Sequence, residues 1–159
     1  MDIKFIVDNN VGILAKWLRI MGYDALLFTE EDDGKMVKLA LAQDRVILTK
    51  DTQIMRRRLV TSGRLKAILI EDDDSRKQLQ QIVEALNLDY QFRPFSVCLE
   101  CNQNLMEIDK AEVRDLVPPH VFETQSLYME CPSCHRIYWR GTHWQAMSEE
   151  LEKFAAQQH

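Results

Sequence analysis

The first 92 residues alternate between short apolar runs and amphipathic stretches, which is the pattern of a parallel sheet covered by helices. Apolar runs predict four strands, at residues 3–7, 23–28, 45–49 and 67–70. Apolar residues at three-to-four spacing predict four helices, at residues 11–21, 33–43, 51–60 and 76–86. The predicted order is β-α-β-α-β-α-β-α, an α/β fold with a parallel sheet flanked by helices.

The alternation ends around residues 92–95, where a proline intervenes and a cysteine-bearing segment begins. We therefore predict two domains, residues 1–94 and residues 95–159. The second contains short β-like runs at residues 121–122 and 137–139, and an amphipathic helix of roughly residues 145–155 closes the chain.

All four cysteines lie in the second segment, as two C-x2-C pairs: Cys98 with Cys101 and Cys131 with Cys134. In a reducing compartment such pairs hold a metal more often than they form disulfides. Four thiolates fill the tetrahedral shell of Zn²⁺ and leave no position for water, so the predicted zinc is structural. Free buried cysteines are the alternative.

The composition of the chain limits the class of protein to which it can belong. The chain has 159 residues, 46% of them hydrophobic, which is typical of a globular protein. No apolar run approaches the ~20 residues that cross a bilayer, and charges interrupt the region where a secretory signal would lie. We therefore expect a cytoplasmic protein with no membrane partner.

The net charge of −5 arises in the second segment. Residues 1–94 carry 15 basic and 15 acidic side chains, whereas residues 95–159 carry 5 and 10. This balance argues against binding nucleic acid by bulk charge, but it leaves local phosphate binding open.

Acidic residues lie where the strands end, which is the edge at which an open parallel sheet binds ligands. Asp8 follows the first strand, Asp51 follows the third, and Asp33 starts the helix between the second and third. Converging carboxylates repel one another unless a divalent cation neutralises them, so we predict Mg²⁺ or Mn²⁺ there. Such an ion activates water for attack on a phosphodiester. The alternative is that each acid is a cap or turn residue.

Basic residues accompany these acids and are candidates for gripping a phosphate backbone. They are Lys16 and Arg19 in the first helix, Lys50 beside Asp51, and Arg57 within an arginine triplet at residues 56–58. The alternative is an ordinary solvated helix face. In a continuous helix the triplet spreads over ~300°, so at least one member would be structural or exposed.

Several ordered blocks together resemble one family, the PIN-like ribonuclease domain with a C-terminal zinc ribbon. They are FIVD (5–8), LAKWLRIMGYD (14–24), RVILTKD (45–51), the two C-x2-C pairs and IYWRGTHW (137–144). The family recurs as the C-terminal part of mutator-type 3′–5′ exonucleases of animal RNA silencing, and as free-standing bacterial and archaeal proteins. The resemblance covers residues 3 to about 147.

This resemblance implies metal-dependent cleavage of RNA. It implies that Asp8 and Asp51 hold the catalytic ion, that Asp33 is the third acid, and that one of residues 72–74 is a candidate fourth. It also implies that Lys16 and Arg19 face the substrate.

One position departs from the family pattern. A second acid often follows the first aspartate in the family, whereas Asn9 and Asn10 stand here. Asparagine coordinates or hydrogen-bonds but accepts no proton, so a possible ligand or base is absent.

Three other interpretations remain. A receiver domain also has acids after its first and third strands, but here the fourth strand runs into acids where a receiver needs a hydroxyl. A haloacid-type phosphatase needs aspartate where Asn10 stands. The third is a non-enzymatic module whose RNA- or protein-docking surface comprises Tyr138, Trp139, Arg140, His143 and Trp144.

Overall fold

The computed structural model describes residues 2–157, except for the side chains of residues 142–143 and 154–157. Residues 1 and 158–159, at the outer limits of the two predicted domains, lie outside the described residues. None of the helices within residues 2–157 is long and apolar enough to cross a membrane.

A four-stranded parallel sheet forms the centre of the first segment, as predicted, in the order β2-β1-β3-β4. The strands are β1 (Lys4–Asp8), β2 (Asp24–Phe28), β3 (Arg45–Thr49) and β4 (Ala67–Leu69). β1 lies between two partners and is buried at residues 5–7, because helices cover both faces of a parallel sheet. All four strands therefore end at one edge, which we call the carboxyl edge, and begin at the other, the amino edge.

Helices connect the strands: α1 (Ile13–Met21), α2 (Asp33–Gln43), α3 (Thr52–Met55), α4 (Arg58–Thr61) and α5 (Ser75–Leu86). Gly22 ends α1 with φ +98°, a conformation that favours glycine. A Cβ there would lie 2.3 Å from the carbonyl oxygen of Arg93, so the close approach of the chain also requires glycine.

The predicted continuous helix over residues 51–60 is wrong, because the chain forms two four-residue helices there, α3 and α4. Arg57 has extended backbone angles (φ −65°, ψ 142°) and separates them. Ile54 and Leu59 both pack against the sheet. Their spacing of five residues does not fit one face of a helix, and the break allows both to face inward.

The second segment contains an antiparallel sheet in the order β5-β6-β7, made of β5 (Met106–Ile108), β6 (Tyr128–Glu130) and β7 (Ile137–Tyr138). Its helices are α6 (Pro119–Thr124) and α7 (Thr142–Gln157), the latter being the predicted closing helix with a longer extent. The β-like run predicted at residues 121–122 is wrong, because these residues lie in α6. Val121 is buried there, and its carbonyl accepts a hydrogen bond from the Tyr128 hydroxyl at 2.9 Å.

One hydrophobic cluster crosses the predicted domain boundary near residue 94. It joins Phe5 and Leu18 of the first segment to Leu99, Trp144 and Leu151 of the second. The cysteine-bearing segment is therefore packed on the sheet domain through buried apolar contacts.

Candidate active site and cysteine centre

The three predicted acids line one open cleft of about 580 Å³ at the carboxyl edge of the sheet. Asp8 ends β1, Asp51 precedes α3, and Asp33 is the first residue of α2. The strand order places β1 between β2 and β3, so the loops that follow these three strands are neighbours. Asn9, Asn10 and Arg57 also line the cleft.

Thr49 links two of these acids, and the sequence analysis did not single it out. Its side chain is fully buried, and its hydroxyl donates to Oδ2 of Asp8 at 2.7 Å. The same hydroxyl oxygen accepts from the backbone N–H of Asp51 at 3.0 Å. A threonine at the end of an otherwise apolar strand, two residues before an acid, is the signal that could have identified it.

The caps of the following turns also orient both carboxylates. Oδ1 of Asp8 accepts from the N–H of Asn9 at 2.8 Å, and Oδ1 of Asp51 accepts from the N–H of Gln53 at 2.8 Å. Asp8 and Asp51 therefore both act as caps of the turns that follow them, as the alternative interpretation expects. The Asp51 carboxyl also lies within hydrogen-bond reach of the Asp33 carboxyl.

The cleft concentrates negative charge. Burial raises the pKa of Asp33, and the neighbouring carboxylates of Asp51 and Asp8 raise it further, whereas Arg57 acts in the opposite direction. Repulsion of this kind is relieved by a bound cation, and carboxylate oxygens are hard ligands that suit Mg²⁺ or Mn²⁺.

The three carboxylates are spread more widely than the atoms of a closed metal site. Among the described residues, one group of three or more His, Cys, Asp or Glu has ligand atoms that all lie within 4.8 Å of one another, and it is the four cysteines. An ion held by Asp8, Asp33 and Asp51 would therefore need waters in its shell or a rotation of side chains. Mg²⁺ commonly keeps several waters in protein sites.

The acids after β4 are engaged elsewhere. Asp73 forms an ion pair with Lys50, a residue that we predict from the sequence to contact RNA. Asp72 accepts from the N–H of Asp74 at 2.8 Å, and Asp74 caps α5. Residues 72–74 are absent from the described lining of the cleft.

Lys16 and Arg19 both contact the cysteine-bearing segment, and the expectation that they face the substrate stays a prediction. Arg19 is only 7% exposed; its Nε donates to the carbonyl of Ala25 at 3.0 Å and its Nη1 to that of Leu99 at 2.7 Å. Lys16 pairs with Glu100 at 3.5 Å. The direction of α1 explains these contacts. The helix starts at the carboxyl edge and runs to the amino edge, so Arg19 lies near the amino edge.

The four cysteines come together with their sulfurs within 4.8 Å of one another, and Sγ of Cys98 lies 3.8 Å from Sγ of Cys134. Cys98 and Cys131 are fully buried. Four thiolates at this spacing form a donor set that fits a tetrahedral zinc ion.

The two cysteine turns share one hydrogen-bond pattern. Asn102 and His135, the residues that follow the two pairs, both have φ +62°. Their N–H groups donate to the carbonyls of Cys98 and Cys131 at 3.0 and 2.9 Å. This repeated geometry presents both pairs of sulfurs to a common point.

Crowding of the thiols also indicates a cation. The hydrogen bond with Cys134, desolvation and the nearby sulfurs raise the pKa of Cys101 to about 12. Four thiolates cannot coexist at this distance without a positive ion, because each additional negative charge opposes ionisation of the next.

An α/β sheet with a carboxylate cleft at one edge and a four-cysteine centre packed against the other defines the architecture of the molecule. The chain belongs to the Mut7-C RNAse domain family, whose model matches residues 3–151. No curated protein and no solved structure matches the chain. Family membership indicates a ribonuclease-like function with RNA as the implied substrate.

Proposed function

We propose that the protein is a divalent-metal-dependent ribonuclease and that cleavage takes place in the carboxylate cleft. The observation that supports this most is the convergence of Asp8, Asp33 and Asp51 from three successive strand-to-helix connections. Glu30, Glu31 and Asp32 add to the negative lining, and Arg57 is the single cationic side chain in the described lining. Such a surface repels RNA phosphates until a cation is bound.

In this proposal Asp8, Asp33 and Asp51 hold the ion. A bound Mg²⁺ or Mn²⁺ would neutralise these carboxylates, lower the pKa of a bound water and offset charge on the phosphodiester. Thr49 keeps the Asp8 carboxylate in a fixed orientation. Arg57 is placed to contact a phosphate oxygen, because it lines the same cleft.

The finer structural assignments belong to the same proposal. We assign the sheet and its acidic edge to the PIN-like class, supported by the placement of the three acids after β1, β2 and β3. We assign the four cysteines to a structural zinc within a ribbon-like module. Four unpaired thiols also suit a reducing, cytoplasmic compartment.

A second candidate is a catalytically inactive RNA-binding module. A small pocket of about 200 Å³ beside the cysteine centre supports it, with Arg136, Trp139 and Gly141 in its lining. Trp144 also contributes but is only 5% exposed and packs against Phe95, so it serves mainly as core. This candidate retains RNA binding without turnover.

Cleavage by matched aspartate-to-asparagine variants separates the two candidates. Purified zinc-loaded protein is incubated with single-stranded and structured RNA in Mn²⁺, alongside Asp8→Asn, Asp51→Asn and the control Asp44→Asn. Asparagine caps helices as well as aspartate does, so the first two variants should fold. Asp44 is exposed, lies at the amino edge and has φ +55°, which asparagine tolerates.

The expected result is a loss of at least about 10²-fold in cleavage rate for Asp8→Asn and Asp51→Asn. The control should cleave RNA at the wild-type rate. Equal cleavage by all four proteins would refute the assignment of the site, and RNA binding without cleavage by the wild-type chain would favour the inactive module.

A further inference from the structure

A strongly basic surface lies beside the acidic cleft. Residues 52–70 contain no Asp or Glu, although the whole chain carries a net charge of −5. The same stretch contains five cationic residues, which we call the arginine surface: Arg56, Arg57, Arg58, Arg64 and Lys66.

All five side chains are exposed. Arg57 interacts electrostatically with Asp33. The other four, within residues 2–157, make no side-chain hydrogen bond, ion pair or ring contact.

Many cations elsewhere in the described chain have partners. Lys16, Lys35, Lys50 and Arg93 pair with carboxylates. Neighbouring cations without counter-charges repel one another, so the arginine surface is unfavourable in the isolated protein. An anionic partner would remove this repulsion.

The fold gathers these cations on one outer face. Ile54 and Leu65 are buried, and the partly buried Leu59 packs beside them against the sheet. The N–H of Leu65 donates to the carbonyl of Leu59 at 2.9 Å, which returns the loop alongside α4. Because the chain breaks between α3 and α4 at Arg57, the arginine triplet does not lie in one continuous helix. All three of its side chains are exposed.

The arginine surface meets the cleft at Arg57, which lines the cleft together with Asp33 and Asp51. Arg64 and Lys66 directly precede β4 and therefore lie towards the amino edge. A strand whose phosphate lies in the cleft would pass Arg57 and continue along the outside of α3 and α4 towards these two cations.

We infer that the arginine surface binds the phosphate backbone of the RNA strand on one side of the bond in the cleft. Arginine suits this role, because its planar guanidinium matches phosphate oxygens in a bidentate manner. Backbone contacts position a strand without reading its sequence. The inference rests on the proposed function for the identity of the polyanion, but binding and cleavage are measured separately.

The test uses the full zinc-loaded chain in an Asp8→Asn background with no added Mg²⁺ or Mn²⁺, so that bound RNA is not cut even if Asp8 is not a ligand of the catalytic ion. The variant Arg58→Gln/Arg64→Gln/Lys66→Gln removes three cations of the surface and leaves Arg57 in the cleft. The matched control, Lys4→Gln/Lys110→Gln/Lys153→Gln, makes the same change in net charge elsewhere. Fluorescence anisotropy with a labelled 12-nucleotide RNA of mixed sequence reports affinity from 0.1 to 1 M salt.

Each phosphate neutralised on a single strand contributes about 0.7 to the slope of log affinity against log salt. Loss of three such contacts should therefore make the slope of the surface variant less steep by about 2. Relative to its parent, the variant should lose about 100-fold more affinity at 0.1 M salt than at 1 M salt. The control should retain the slope of its parent. Identical slopes and affinities for the surface variant and the control would overturn the inference.

Failure of the proposed function gives a different result. If Asp8→Asn and Asp51→Asn cleave as fast as wild type, the assignment of the active site fails. A less steep salt slope for the surface variant than for its control would still support binding of RNA by the arginine surface. If those variants lose cleavage but the three surface substitutions leave binding unchanged, the inference fails and the proposed active site stands.

Discussion

The two edges of the parallel sheet use aspartates in opposite ways. At the amino edge, Asp24 accepts from Arg45 at 2.7 Å and from the side chain of Asn102 at 2.6 Å. Burial raises the pKa of Asp24, but these hydrogen bonds prevail and lower it below its usual value. At the carboxyl edge, burial and neighbouring acids raise the pKa of Asp33.

This contrast separates a structural edge from the edge that we propose to be functional. At the amino edge, Asn102 of the cysteine-bearing segment bonds both the Asp24 carboxylate and the backbone N–H of Ala25. The carboxyl edge instead keeps acids facing one another, an arrangement that costs stability and is useful for binding a cation. Changes at the amino edge should therefore reduce stability, and changes at the carboxyl edge should reduce activity.

Loss of the cysteine centre should produce the largest effect on stability. Cys131→Ser removes a buried thiol that we assign to the zinc site, and structural zinc sites contribute on the order of 10 kcal/mol to folding. We expect loss of bound zinc and a large fall in the thermal unfolding midpoint, measured by metal analysis and circular dichroism. Ser133→Ala, an exposed change in the same turn, is the control. A zinc-free protein with an unchanged midpoint would contradict a structural role.

Arg19→Met should have the next largest effect. It removes both hydrogen bonds of a buried side chain and leaves the carbonyls of Ala25 and Leu99 without that donor. We expect a loss of about 3 kcal/mol in the free energy of unfolding, measured with urea.

Lys16→Met is the matched control on the same helix, because its pair with Glu100 is half-exposed and should contribute less than about 1 kcal/mol. Cleavage per folded molecule should remain at the wild-type level in both variants. Loss of cleavage with unchanged stability in Arg19→Met would instead indicate that Arg19 contacts the substrate.

Thr49→Val tests the carboxyl edge with a change of similar volume. The buried hydroxyl no longer orients Asp8, so we expect cleavage to fall about tenfold and the Mn²⁺ concentration for half-maximal activity to rise. Thr49→Ser keeps the hydroxyl and should restore both quantities towards wild type. An equal loss in the serine variant would indicate a packing effect instead.

Asp24→Asn should give the smallest effect, and the effect should depend on pH. The pKa of Asp24 is lowered by folding, so its contribution is present above its unfolded pKa of about 3.9 and is lost as pH falls through the folded value. We expect the variant to be less stable by about 1 kcal/mol at pH 7, and less affected near pH 3, in urea titrations. A difference that stays constant with pH would show that the ion pair is not its origin.

The sequence predicted where the three acids lie, because strand ends follow from apolar patterning and parallel strands end at one edge, whereas their roles in metal binding and catalysis stay predictions. Asp8 and Asp51 each follow an apolar strand, and the topology brings Asp33 to the same place. Thr49 was missed because its importance depends on a hydrogen bond to Asp8, which lies 41 residues away in the chain.

Contacts between distant segments are what the sequence could not give. Arg19 bonds to Leu99, 80 residues away, and no local pattern gives the docking position of the second segment. One local signal existed, because Arg19 follows the buried Ala15 by one helical turn. The paired apolar residues at 121–122 were too short a run to separate helix from strand.

Anomalous diffraction from crystals soaked in Mn²⁺ would test the central claim most directly. A manganese peak between the carboxylates of Asp8, Asp33 and Asp51, absent from crystals of Asp51→Asn but present in Asp44→Asn, is the result that we predict. An ordered cleft without manganese, in crystals that retain zinc among the cysteines, would contradict the proposed catalytic metal.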